Sequence, residues 1–248
     1  MPRSREAGRR RLRAVIFDVD GVLVDSPHER AWREALAGFA DPADFTTAFY
    51  QAHVAGKPRL EGARAALEAL GDAEAGAHAA VYAERKQAVI DRLVAQGRFD
   101  AFPDAIRLAV ALRAAALRTV LASSSKNVDA MLARVTLPDG GTLLSLFDAD
   151  VSGRDMPRGK PDPALFLLAA RTLAVPPGEC LVVEDAPAGI AAARAGGMAS
   201  LGIARLGDEA LLRAAGADLV LTSLDQLDVA ALAGGTLRAR ATEGSLDR

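Results

Sequence analysis

One strand, then a long helical stretch, then strands and helices in alternation: this succession of periodicities sets the architecture of the chain. The apolar run Ala14-Val15-Ile16-Phe17 is short and rich in branched and aromatic residues, the pattern of a buried strand. From residue 27 to about 99 the periodicity is helical and no convincing strand intervenes. Trp32, Ala35, Leu36 and Phe39 share one helical face. Asp41-Pro42 pairs an N-cap residue with a first-turn proline and predicts a second helix, with Phe45, Phe49 and Ala52 on one stripe. Leu60, Ala63, Leu67 and Leu70 mark a third, and Val81 to Val94 a fourth. From Phe102-Pro103 onward, Leu117 to Ala122, Asp148 to Val151, Cys180 to Val183, Ala199 to Ile203 and Leu219 to Leu221 read as short strands. Helical segments such as Pro163 to Leu173 and Pro187 to Ala195 separate them. Such alternation implies a parallel sheet covered on both faces, here with a small helical bundle inserted after its first strand. The tail from Gly234 loses periodicity and is expected to fray.

The 248 residues, half of them hydrophobic, suffice for one large α/β domain or for a core with a smaller partner. A net charge of −2 gives no argument about polyanionic partners. Arg3, Arg5, Arg9, Arg10, Arg11 and Arg13 crowd the amino end. Such an arm can touch nucleic acid or act as a transit peptide, and the plainer expectation is a solvated, flexible leader. No apolar run approaches the roughly 18 residues that a membrane-spanning helix needs. Cys180, the only cysteine, excludes an internal disulfide; it lies in a strand-like run, where a small buried hydrophobe is expected. Cysteine usage of this kind fits a cytoplasmic protein.

The chemistry lies at the strand ends. The first strand runs into Asp18-Val19-Asp20-Gly21. Two carboxylates so close are costly unless a cation or a proton stands between them. The strand ending at Ala122 is followed by Ser123-Ser124-Ser125-Lys126-Asn127, and the one ending at Val183 by Glu184-Asp185. The loop before one helix holds Gly159-Lys160-Pro161-Asp162-Pro163. In a parallel sheet these ends share one edge, the edge at which open α/β sheets bind ligands. Each piece alone has a plain structural reading: the serines and the Glu184-Asp185 pair as helix caps, Lys160 as a solvated lysine, Asp18 and Asp20 as a polar strand terminus. Together they predict one crevice holding four carboxylates, a hydroxyl cluster and a lysine. Carboxylate oxygens suit Mg²⁺. A lysine and a hydroxyl beside them suit a phosphoryl group, whose transfer depends on positioning and charge neutralisation. One aspartate can attack phosphorus and the other can move the proton.

These residues resemble the haloacid dehalogenase superfamily, within it the β-phosphoglucomutase-like phosphatases and mutases. The matching motifs are Asp18-Val19-Asp20-Gly21-Val22, Ser123, Lys160-Pro161 and Glu184-Asp185-Ala186-Pro187-Ala188-Gly189-Ile190, and the resemblance covers about residues 13 to 225. It implies a Rossmann-like parallel-sheet core (13–25 and 100–230) and an all-helical cap domain (26–99), with flexible ends at 1–12 and 234–248. It implies that Asp18 is the nucleophile and Asp20 the general acid/base, and that Ser123 and Lys160 hold the phosphoryl oxygens. Mg²⁺ would be held by the Asp18 carboxylate, the Asp20 backbone carbonyl, Glu184 and Asp185. The cap would close about hinges at Asp25-Ser26 and near Phe99. An acid at position 20 argues against the dehalogenase and phosphonatase branches and leaves phosphate esters.

In the mutases of this group a cap loop with glycine and arginine grips the substrate's second phosphate, and Gly56-Lys57-Pro58-Arg59 resembles that loop. Ser125, Lys126 and Asn127 resemble the residues that contact the sugar phosphate. His28 and Lys86 match the cap histidine and lysine that couple closure to catalysis. A solvated helix histidine is the plain alternative for His28, and a surface arginine for Arg59. His53 shares a face with Phe45 and Phe49 and is expected to pack there; His78 is expected to be solvated.

The resulting expectation is a Mg²⁺-dependent phosphosugar mutase or, alternatively, a phosphatase of small phosphomonoesters. It would be a monomer or weak dimer without nucleic-acid or membrane partners. A non-catalytic module that kept the fold would be expected to lose a core carboxylate, and Asp18, Asp20, Glu184 and Asp185 are all present with Lys160.

Overall fold

The computed structural model describes residues 11–241; Arg3, Arg5, Arg9 and Arg10 of the leader, and 242–248 of the tail, lie outside the described residues. The chain forms β1 (Ala14–Phe17) and the short β2 (Val24–Asp25), then four helices: α1 (His28–Ala35), α2 (Thr47–His53), α3 (Arg59–Ala69) and α4 (Ala75–Ala95). It returns through β3 (Asp100–Ala101), followed by α5 (Pro103–Ala114), β4 (Arg118–Leu121), α6 (Val128–Leu132) and β5 (Ala149–Asp150). Then come α7 (Ala164–Thr172), β6 (Cys180–Glu184), α8 (Pro187–Ala195), β7 (Ala199–Ile203), α9 (Glu209–Ala214), β8 (Leu219–Leu221) and α10 (Val229–Ala233).

Six strands make one parallel sheet in the order β5-β4-β1-β6-β7-β8, with β1 between β4 and β6. All four residues of β1 are wholly buried. Ala14 and Ile16 face one core, with Val120, Val182 and Phe166. Val15 and Phe17 face the other, with Leu121, Val183 and Leu112. Burial on both faces explains why this strand reads as an unbroken apolar run, and each large side chain contributes roughly 1.5–3 kcal/mol. The fold is the expected Rossmann-like core with an inserted helical unit.

The insertion has its own core of Trp32, Leu36, Phe45, Leu67 and Tyr82. The Tyr82 hydroxyl donates to the Trp32 carbonyl at 3.0 Å, and the two rings lie 5.0 Å apart. At its base, Ala31 of α1 and Ile90, Leu93 and Val94 of α4 join the core that contains Val15 and Phe17.

Two expectations need correction. The helix predicted from Asp41-Pro42 is two elements: a 3₁₀ turn over Pro42–Asp44, capped by Asp41, and α2. Phe45 leaves the helical region (φ −85°, ψ 74°) to bury itself, and the Thr46 hydroxyl caps the new helix by accepting from the Phe49 amide at 3.1 Å. The helical stretch from 27 to 99 is free of strands as expected, and just outside it β2 and β3 pair as a two-stranded antiparallel ribbon. The tail does not fray at Gly234: Arg238 pairs with Asp228 at 2.8 Å, and the Arg240 amide donates to the Gln226 carbonyl at 2.6 Å. Cys180 is buried as expected, its thiol pushed up to about 11 by burial and the nearby Glu179 charge. No helix among the described residues is long and apolar enough to cross a membrane.

Candidate active site

Sheet register brings the strand-end residues together. Phe17 stands opposite Leu121 on one side and Val183 on the other. One residue further on, Asp18, Ala122-Ser123 and Glu184 therefore reach the same edge. The Asp18 amide donates to the Val183 carbonyl at 3.0 Å, and the Ala122 amide to the Phe17 carbonyl at 2.8 Å.

Lys160 is the hub. Its ammonium, almost wholly buried, donates to Asp18 Oδ1 and Glu184 Oε1, each at 2.5 Å, and lies 4.9 Å from the Phe166 ring centroid. Burial disfavours that charge, but Asp18 and Glu184 outweigh burial and hold the lysine protonated. The other Glu184 oxygen accepts from the amides of Asp185 and Ala186, both at 2.9 Å. Gly21 has φ +79°, and a Cβ there would lie 1.9 Å from Asp185 Oδ2; only glycine lets the turn after Asp20 approach that carboxylate.

Asp18, Glu184 and Asp185 each offer a carboxylate oxygen within 4.8 Å of one another. Burial, with the charges of Glu184 and Asp20, outweighs Lys160 and lifts Asp18 to about 7. Burial and the charges of Glu184 and Asp18 push Asp185 well above the usual carboxylate range. Three hard oxygen donors that one ammonium leaves under-neutralised fit a divalent cation.

Asp20 sits differently. Its Oδ2 accepts from the Ser123 hydroxyl at 3.2 Å. Its Oδ1 lies 3.1 Å from His28 Nε2, a close polar approach rather than an aligned hydrogen bond. Burial acts to raise this carboxyl, but attraction to His28 and Lys86 outweighs it and brings the group down to about 2. The Lys86 ammonium donates to His28 Nδ1 at 2.6 Å, which assigns the imidazole proton to Nε2, facing Ser125 Oγ at 3.3 Å. Burial lowers Lys86 to about 8 and also lowers His28. His28 is therefore a buried residue in contact with Asp20, not a solvated helix histidine.

The loop Gly56-Lys57-Pro58-Arg59 lies against the core. A Cβ on Gly56 would be 3.9 Å from Lys160 Cδ, and one on Gly159 would be 2.0 Å from Pro58 Cγ. Arg59 donates to Gln87 Oε1 at 2.5 Å, and Gln87 Nε2 reaches Asn127 Oδ1 at 3.3 Å. Lys57 and Lys126 also line the cavity, but their ammoniums are engaged elsewhere: Lys57 by the His53 carbonyl at 2.6 Å, Lys126 by Asp155 at 2.8 Å. His53 stacks on Phe49 at 4.6 Å. His78, expected to be solvated, is only 39% exposed and pairs with Asp72 at 2.8 Å.

The cavity between sheet edge and insertion measures about 440 Å³. Sequence reasoning missed several of its residues. Tyr50 lines it, and burial with the Asp20, Asp185 and Asp18 charges pushes its hydroxyl well above the usual value. Gln87 links Arg59 to Asn127. Arg154 and Arg158 stand exposed at its rim. Arg205 follows the end of β7, and the strand-end rule that found Asp18, Ser123 and Glu184 would have found it too.

A parallel-sheet core of this topology, an acidic cluster around a buried lysine and a helical insertion over the same edge define a phosphoryl-transfer site. Comparison with known proteins agrees: residues 12–197 match the family model "haloacid dehalogenase-like hydrolase", and the chain belongs to that family. It is 35% identical to a β-phosphoglucomutase of Mycobacterium tuberculosis over 88% of this chain and 92% of that protein. It is 34% identical to the fructose-1-phosphate phosphatase YqaB of Escherichia coli over 76% of this chain and 94% of the relative. The crystal structure of a β-phosphoglucomutase from Pyrococcus sp. strain ST04 superposes with a TM-score of 0.72 at 31% identity, covering 90% of this chain and 99% of that one. The chain is thus an enzyme of the phosphatase and phosphomutase kind within the family. Such enzymes use a divalent metal, typically Mg²⁺.

Proposed function

We propose that the chain is a phosphosugar mutase that carries a phosphoryl group on Asp18 and isomerises a sugar 1-phosphate to the 6-phosphate. The observation that carries this reading is the contact chain Asp20–His28–Lys86, which ties the acid/base residue to two helices of the insertion. A catalytic acid that senses the position of the cap can withhold its chemistry until a sugar, rather than water, fills the site.

In this reading Asp18 carries a phosphoryl group received from the sugar bisphosphate. Asp20 removes the proton from the 6-hydroxyl of the sugar 1-phosphate, whose oxygen takes that phosphoryl group as the bond from phosphorus to the Asp18 carboxylate breaks. The bisphosphate so formed reverses in the site, Asp18 attacks its 1-phosphoryl phosphorus, and the sugar O1 leaves with the proton from Asp20, giving the 6-phosphate. Lys160 and Ser123 hold the phosphoryl oxygens, and Asp18, Glu184 and Asp185, with the Asp20 carbonyl, hold Mg²⁺. When bound, Mg²⁺ supplies positive charge against the phosphoryl oxygens. Arg59, oriented by Gln87, with Asn127 and Ser125 across the cleft, grips the second phosphate. Gly56, Lys57 and Lys126 line the sugar's path.

The second reading is hydrolysis of small phosphomonoesters with water as acceptor, favoured by the similarity to a fructose-1-phosphate phosphatase. A coupled assay with β-glucose 1-phosphate, Mg²⁺ and a trace of the bisphosphate separates the two. The mutase yields glucose 6-phosphate in excess of free phosphate; free phosphate alone leaves only the phosphatase.

A further inference from the structure

We infer that Arg205 is a positioning residue of this site, whose guanidinium locks the turn between Asp20 and β2 to the segment that follows β3. Its Nε donates to the Gly21 carbonyl at 2.9 Å, and one terminal nitrogen to the Val22 carbonyl at 3.0 Å. Both terminal nitrogens engage Asp104, at 3.2 and 3.1 Å. The guanidinium also lies 3.6 Å from the Phe102 ring centroid. Gly21 and Val22 lead into β2, while Phe102 follows directly on β3 and Asp104 lies in the first turn of α5. One side chain, anchored beyond β7, thus grips the chain where it leaves the core for the insertion and where it returns.

The network is nearly saturated. Asp104 accepts two bonds from Arg205, one from the Ser223 hydroxyl at 3.0 Å and one from the Leu224 amide at 2.8 Å. The arginine and aspartate side chains are 14% and 9% exposed, so the pair is desolvated and directional rather than a screened surface contact. A lysine has the charge but not the planar fork, and cannot reach two carbonyls and a carboxylate while stacking on a ring. The gripped turn is the one whose Gly21 lies against Asp185. Its opposite face is therefore part of the acidic site, and loosening it displaces Asp20 and Asp185 relative to each other. Arg205 acts through these residues, not on the substrate.

Hydrogen–deuterium exchange of the intact, metal-free protein tests the lock without reference to any activity. In Arg205→Ala the amides of 21–24 and of Phe102 should exchange roughly tenfold faster, with Arg205→Lys and Asp104→Asn intermediate and the insertion core around Leu67 and Tyr82 unchanged. The catalytic half rests on the phosphoryl-transfer reading. There Arg205→Lys should lower kcat with little change in KM and raise the share of free phosphate over isomerised sugar. A residue that merely stabilises the fold would speed exchange throughout and leave that partition unmoved. Either uniform exchange or wild-type exchange at 21–24 in Arg205→Ala overturns the inference; should the alanine variant fail to fold, the same readings on Arg205→Lys decide. Local loosening in a protein whose wild type turns over no phosphorylated sugar would uphold the lock and sink the reaction assignment instead.

Discussion

Asp18 and Asp20 are two residues apart, yet burial and neighbours drive them in opposite directions, one up to about 7 and the other down to about 2. Asp18 shares its neighbourhood with Glu184 and Asp185; Asp20 faces His28 and Ser123. Unlike environments for two nearby carboxylates are the usual basis for unlike roles. Asp18→Asn should lower turnover by roughly 10³-fold or more with an unchanged circular dichroism spectrum, since the proposed reaction carries the phosphoryl group on that carboxylate. Asp20→Asn should cost roughly 10²–10⁴-fold, the range for losing a general acid/base. Arg59→Ala separates the two reactions: isomerisation should fall far more than hydrolysis of a monophosphate, and equal loss on every substrate would count against the mutase. At this scale the strand-end rule made the residues around Lys160 legible. Gln87 was hidden because its role depends on how α4 packs beside the start of α3, which no spacing in the sequence encodes.

Elements were legible where a periodicity is long enough to be counted. The four inner strands β4, β1, β6 and β7 show as largely apolar runs because the sheet is buried on both faces there. Two-residue strands such as β2 and β3 have no period to detect, so the ribbon at the base of the insertion was invisible. The Asp41-Pro42 signal was read correctly as a start, but Thr46 offers a competing cap, and burial of Phe45 decides between them. A tight joint between elements is the loop of Pro58 against Gly159, beside Lys160. A methyl on Gly159 would come within 2.0 Å of Pro58 Cγ, so Gly159→Ala must push the loop off the core. Displacement of about 1 Å costs up to roughly 100-fold in a positioned reaction. We expect isomerisation to fall, free phosphate to rise, and Pro58→Ala in the same protein to restore most of the loss. Failure of that second substitution to rescue would show that the contact does not govern seating.

For the molecule as a whole, the sheet order places β1 centrally, and the return from the insertion is stitched to the far side of the sheet through Asp104, Arg205 and Ser223. Burial would raise Asp104, but hydrogen bonds from Arg205 and the Leu224 amide keep it below the usual range. A carboxyl depressed in the folded state stabilises the protein above its unfolded value of about 3.9, and that contribution disappears as pH falls through the folded value. Wild type should therefore melt well above Asp104→Asn at pH 7, and the two melting temperatures should converge as pH falls through the folded value of Asp104; a constant gap would assign the difference to packing. The proposed reaction depends on covalent transfer through Asp18. Acid-quenched turnover with Mg²⁺ and a sugar phosphate, followed by peptide mass spectrometry, reads that directly. We predict one phosphoryl group on the peptide bearing Asp18 during turnover, and none on the same peptide of Asp18→Asn. An unmodified Asp18 peptide during active turnover, or a phosphoryl group on another residue, would contradict it.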